Sequence, residues 1–130
     1  MNFDTEKTIN YWLEGAEYDM SVAEAMFETG KYPYVLFMGH LALEKLLKAL
    51  VVKQTKNHAP FTHSLPLLAE KLGFQTDQEI YTNLKRFMEF HLEARYPEER
   101  KGFYKNCTKE FTENNLHRIK ETFLWLKKKL

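Results

Sequence analysis

Cysteine is almost missing from this chain: Cys107 is the single one in 130 residues. That excludes an internal disulfide and a thiolate metal cluster, and it fits a reducing, cytoplasmic compartment. Charge of one sign is missing too. Nineteen basic residues face eighteen acidic ones, a formal net charge of +1, so no global field draws the chain to nucleic acid. No apolar run approaches the roughly 18 residues of a membrane span. The start, MNFDTEKTINYW, has neither a basic region nor an apolar stretch and does not read as a signal peptide. There is no Gly-rich phosphate loop, Ser-His-Asp pattern, internal repeat, low-complexity tract or strand-like alternation. No cofactor and no metal is expected.

What is present is helical periodicity, and the 15% aromatic content falls inside it. Asp4 or Thr5 can cap a first helix running to about Thr29. Its apolar positions Ile9, Leu13, Ala16, Met20, Ala23 and Phe27 recur as a bundle seam. Gly30 is a natural stop, and Pro33 suits the first turn of a second helix reaching about Lys56. NHAPFTH (Asn57 to His63) reads as a loop. Ser64 caps a short third helix, with Pro66 in its first turn and Gly73 after its end. Thr76 with Glu79 forms a capping-box pattern for a fourth helix from Asp77 to about Glu93. ARYPEERKGFYKN (Ala94 to Asn106) reads as a loop, because Pro97 disfavours helix at Tyr96 and Gly102 adds freedom. A last helix from about Thr108 to Leu130 places Leu116, Ile119, Phe123, Leu126 and Leu130 on one face. The expectation is a single all-α domain over residues 1–130. Its architecture would be an antiparallel up-and-down bundle of four long helices plus a short one.

The second helix carries the most informative pattern. His40, Glu44 and Lys48 lie four residues apart, and a rotation of about 40° per four residues keeps them in one row. Leu36, Leu43, Leu46, Leu47 and Leu50 flank that row. A polar row at the edge of an apolar seam suits a helix contact, a dimer cleft or a ligand groove. Its plainer reading is a charged helix edge with one Glu-to-Lys pair worth a few tenths of a kcal/mol.

The stretch AEYDMSVAEAMFETGKYPYVLFMGHLALEKLLKAL (Ala16 to Leu50) resembles the opening helices of the HEPN domain family, named for nucleotide binding in higher eukaryotes and prokaryotes. The resemblance continues through PFTHSLPLLAEKLG (Pro60 to Gly73), ARYP (Ala94 to Pro97), a tyrosine and a long last helix. It implies a helical bundle that is usually dimeric. It also implies one of two activities. Some members are metal-independent ribonucleases, usually toxins, with an arginine and a histidine four to six residues apart. Others lack the pair and act as nucleotide-binding modules or partners of a separately encoded minimal nucleotidyltransferase, in an arrangement like a toxin–antitoxin pair.

Arg86 and His91 match the ribonuclease spacing, a cation for the phosphate and an imidazole to move a proton. Phe87 departs from the small polar residue usual after that arginine. On a continuous helix five residues turn about 500°, leaving the two side chains roughly 140° apart. His91 would lie on the buried line Ile80, Leu84, Phe87, His91, Ala94.

The leading expectation is therefore a non-catalytic, homodimeric nucleotide- or partner-binding module. Lys45, Lys48, Arg95, Tyr96 and Tyr104 would be its ligand-binding residues, with His40 and Glu44 as organisers. Arg95 offers a planar fork for phosphate or carboxylate and Tyr96 an aromatic face for a base. Glu44 is an alternative partner for Arg95. The alternative function is an endoribonuclease toxin using Arg86 and His91, with RNA as its substrate. A third reading is a helical adaptor whose seam recruits another helix. His58 and His63 could reach a metal together, but no third ligand lies near them in sequence. The lysines ending the second and last helices complement the helix dipole.

Overall fold

The computed structural model describes residues 3–130; the first two residues of the amino-terminal stretch read above lie outside it. Six α-helices follow one another: α1 (Thr5–Glu28), α2 (Tyr32–Thr55), α3 (Leu65–Lys71), α4 (Gln78–Phe87), α5 (Pro97–Asn106) and α6 (Lys109–Lys127). Short 3-10 turns occupy Phe74–Thr76, Met88–Phe90 and Leu92–Ala94. Among the described residues there is no strand.

Local chemistry explains most boundaries. Asp4 accepts the Lys7 N–H at 3.0 Å and Ser64 accepts that of Leu67 at 3.2 Å, each satisfying an orphan donor of the first turn. Pro33 and Pro66 sit in first turns, where a missing N–H costs nothing. Gly30 and Gly73 both adopt φ of +78°, the left-handed region a side chain resists.

The helix α2 is the axis of the fold. Val35, Leu36, Leu43, Leu46, Leu47, Leu50 and Val52 are buried along its length, because α1, α3 and α6 cover it from several sides. Lys127 reaches Glu17 at 3.3 Å and Lys120 reaches Glu24 at 3.0 Å, a reversed order that makes α1 and α6 antiparallel. Gly39 faces Ile119, and Lys53 donates to the Lys129 carbonyl at 3.2 Å, so α2 and α6 run parallel. The segment from residue 56 to 108 allows this by running back along the side of α2, from Gln54 against Lys71 past His40 against Phe87 to Tyr34 against Tyr104.

The all-α expectation holds, with three corrections. The array is not antiparallel throughout, and its helices comprise two of 24 residues, one of 19, two of 10 and one of 7. The fourth helix ends at Phe87 rather than near Glu93, because the chain tightens into 3-10 turns that seat Phe90 among Phe87, Phe103 and Phe111. Its cap is Asp77, which accepts the Ile80 N–H at 3.2 Å, whereas Thr76 belongs to the preceding turn. Finally, Ala94 to Asn106 is not all loop: Tyr96 is extended, and Pro97 then opens α5.

Candidate functional site

The row on α2 becomes a buried polar cluster once the crossover folds over it. His40 is fully buried, and its Nδ1–H donates to the Phe87 carbonyl at 3.4 Å. A carbonyl only accepts, so Nδ1 carries a proton, and in the neutral tautomer this leaves Nε2 as the lone pair. That Nε2 lies 3.7 Å from Glu44 Oε1 and has no hydrogen-bond partner among the described residues. Lys48 donates to Glu44 Oε2 at 3.1 Å and rests its ammonium 5.1 Å from the Trp12 ring centre.

Two histidines arrive from outside α2. His63, in the loop before α3, sets Nδ1 3.0 Å from Glu44 Oε1. His91 stands between the two 3-10 turns, its ring centre 4.9 Å from that of His40 and 4.9 Å from that of His63. Phe37 closes the far side edge-on, 5.7 Å from His91. The Ala94 N–H donates to His91 Nδ1 at 3.2 Å, which holds the ring at its turn.

Burial pushes the Glu44 carboxyl up, but the neighbouring His40 ring, the hydrogen bond from His63 and the Lys48 ammonium overcome it and hold the group at about 2. Glu44 is thus a buried anion with three partners. His91 is pushed down by burial and by the facing His40 and His63 rings, so its neutral, ligand-competent form is favoured. The cluster meets solvent through His63, whose side chain is 65% exposed. His40, Glu44 and His91 each offer one donor atom, all within 4.8 Å of one another. Two chemistries fit such a set: a buried carboxylate orienting an exposed imidazole, or a cation held by nitrogen and oxygen donors.

Of the residues singled out in the sequence, His40 and Glu44 are brought together as organisers. Lys48 joins them, as their buried counter-charge. Lys45 turns to Asp19, 2.8 Å away. Arg95 does not reach Glu44: its Nε donates to the Glu89 carbonyl at 2.7 Å and its guanidinium lies 5.2 Å from the Phe103 ring centre. Tyr96 is 76% exposed, and the Tyr104 hydroxyl meets that of Tyr34 at 3.4 Å. Arg86 is exposed on α4 while His91 is buried; the helix between them is interrupted, so the separation argued for a continuous helix does not apply. His58 packs against Phe3 rather than beside His63. His63 lies, as the sequence suggests, in the loop before the third helix, but its partner Glu44, 19 residues away, is one that local spacing does not disclose.

The HEPN domain family matches residues 9–130 of the chain. Comparison with curated proteins gives no match. Among solved structures, the crystal structure of TT1696 from Thermus thermophilus superposes with a TM-score of 0.78 at 21% identity, covering 94% of this chain and 98% of that one. At that identity the likeness concerns the fold.

Proposed function

Because this chain belongs to the HEPN domain family, a nucleotide- or RNA-related module in general terms, we propose that it is a non-catalytic, homodimeric nucleotide- and partner-binding module acting in the cytoplasm beside a separately encoded minimal nucleotidyltransferase. One observation carries the reading: an aromatic and cationic edge around α5. The Tyr34 and Tyr104 rings stand 6.3 Å apart there. Arg95 covers Phe103, the residue before Tyr104, and Tyr96 projects beside it into solvent. Stacking on an exposed tyrosine suits any base, and the guanidinium fork suits phosphate. The ligand edge therefore centres on Arg95, Tyr96 and Tyr104, while Lys45 and Lys48 are engaged by Asp19 and Glu44.

The test is titration with ATP and GTP in EDTA, followed by calorimetry, for the native protein and Tyr96→Ala. Loss of one stacking contact, worth about 1–3 kcal/mol, weakens binding roughly 5- to 150-fold. Equal affinity in both proteins, or no binding by either, would reject this edge. A second reading, an endoribonuclease toxin using Arg86 and His91, is favoured by the interrupted helix, which frees the pair from fixed opposition. RNA cleavage in EDTA that disappears in both Arg86→Ala and His91→Ala would replace the first reading with the second.

A further inference from the structure

The polar cluster on α2 carries an assignment independent of the nucleotide reading. We infer that His40, Glu44, His63 and His91 form a binding site for a late first-row divalent cation of the Zn2+ class. Three of the four place donor atoms within 4.8 Å of one another, and the fourth, His63, sets Nδ1 3.0 Å from Glu44 Oε1.

The unmatched nitrogen of His40 is the second, separate sign. Its Nε2 is buried and unpartnered among the described residues, and it points to the side of Glu44. The Phe87 carbonyl on the opposite nitrogen fixes the tautomer that leaves this lone pair available. A backbone carbonyl in that position is how metal-ligating imidazoles are oriented and made more basic. Three imidazoles with one carboxylate, and no thiolate, suit Zn2+ or its neighbours and not Mg2+ or Ca2+, which favour oxygen cages.

The geometry closes with small movements. Bonds of about 2.1 Å put neighbouring donors of a tetrahedral site roughly 3.4 Å apart, so gaps among His40, Glu44 and His91 that reach 4.8 Å must shrink by up to about 1.4 Å. His63 is the free arm, since its side chain is 65% exposed. A cation takes the place of the proton between its Nδ1 and Glu44 Oε1, and that proton passes to Nε2 or to water. His91 must turn away from the Ala94 N–H, which keeps a backbone bond to the His91 carbonyl at 3.2 Å and is not orphaned. Lys48 engages Oε2 and leaves Oε1 for the cation. Its ammonium opposes the added charge, with the Glu44 carboxylate joining the two. Once bound, the ion pins the loop before α3 and the turns before α5 onto α2.

The surface pair His117 and Glu121, 2.6 Å apart at i and i+4, would take metal on its own, so the experiment uses His117→Ala as its background. Chelator-stripped protein is titrated with Zn2+ by calorimetry and with Co2+ by visible absorption, in parallel with His63→Gln and Glu44→Gln. We expect one equivalent of Zn2+, a tetrahedral Co2+ spectrum and a raised melting temperature. Each of the two variants should weaken binding at least tenfold. His63→Gln changes an exposed side chain and keeps the comparison decisive even if Glu44→Gln fails to fold. No uptake by the folded protein, or uptake unchanged in His63→Gln, overturns the assignment.

Discussion

The frame of α1, α2 and α6 and the crossover of residues 56 to 108 follow different rules. In the frame, long helices close on a periodic apolar seam, and charged groups such as Glu17 with Lys127 and Glu24 with Lys120 pair at the rim. Exposed pairs of that kind add at most about 1 kcal/mol, so packing holds the frame. In the crossover the helices are short and separated by 3-10 turns, yet this part delivers His63 and His91 to Glu44. Regular structure supplies the platform and irregular structure supplies the chemistry, the division expected when side chains must converge from several directions.

The sharpest way to break the comparison is at the joint. Glu44 is the frame residue that the crossover grips, and it also neutralises Lys48, which is 7% exposed. In metal-free protein, Glu44→Ala leaves that ammonium buried without a counter-charge, at an expected cost of about 3–5 kcal/mol in urea unfolding. Adding Lys48→Met should recover part of the loss, because the stranded charge goes with it. A single-variant loss below about 1 kcal/mol would show that the joint does not hold the two parts together.

A smaller effect separates the regions by their glycines. In the frame, a Cβ on Gly39 would stand 2.8 Å from Ile119 Cδ1 and 3.2 Å from its Cγ2, at the close approach of α2 to α6. Gly39→Ala should therefore overpack the seam and cost about 1–3 kcal/mol. In the crossover, a Cβ on Gly102 meets nothing within 4 Å inside α5. Gly102→Ala should instead stabilise by up to about 1 kcal/mol through helix propensity. Chemical denaturation of both variants checks the opposite signs; the same sign in both would mean that the frame packs no more tightly than the crossover.

The same division governed what the amino acids disclosed. Asp4, Ser64, Pro33, Gly30 and Gly73 act locally, and each marks a boundary where local chemistry decides. The row of His40, Glu44 and Lys48 was equally legible, since helical spacing alone builds it. Phe87 to Ala94 was not. The line Ile80, Leu84, Phe87, His91 continues a helical period, and only the aromatic contacts of Phe90 with Phe103 and Phe111 explain why the helix stops. Pro97 was read for what it forbids at Tyr96 and not for the helix it can open. Arg95 finds a backbone carbonyl where a carboxylate was expected, and His63 finds Glu44 across the fold. Such pairings depend on tertiary approach, which no local spacing encodes.

Cys107 gives the gentlest test, because it sits where the crossover meets α6. It is 7% exposed, and burial pushes its thiol up to about 11 against the opposing pull of Arg95. A thiol raised in the folded state stabilises fully below its ordinary value of 9.0, and that contribution fades as pH climbs from there toward about 11. At neutral pH no stability depends on its ionisation. Its reactivity does: two pKa units mean roughly a hundredfold less thiolate than in the unfolded chain. Iodoacetamide at pH 8 should label the native protein at least that much more slowly than the urea-unfolded one, with the burial adding to the delay. Equal rates would show that the junction of α5 and α6 opens freely, and then the crossover would be held by its histidine–glutamate cluster rather than by its packing at Cys107.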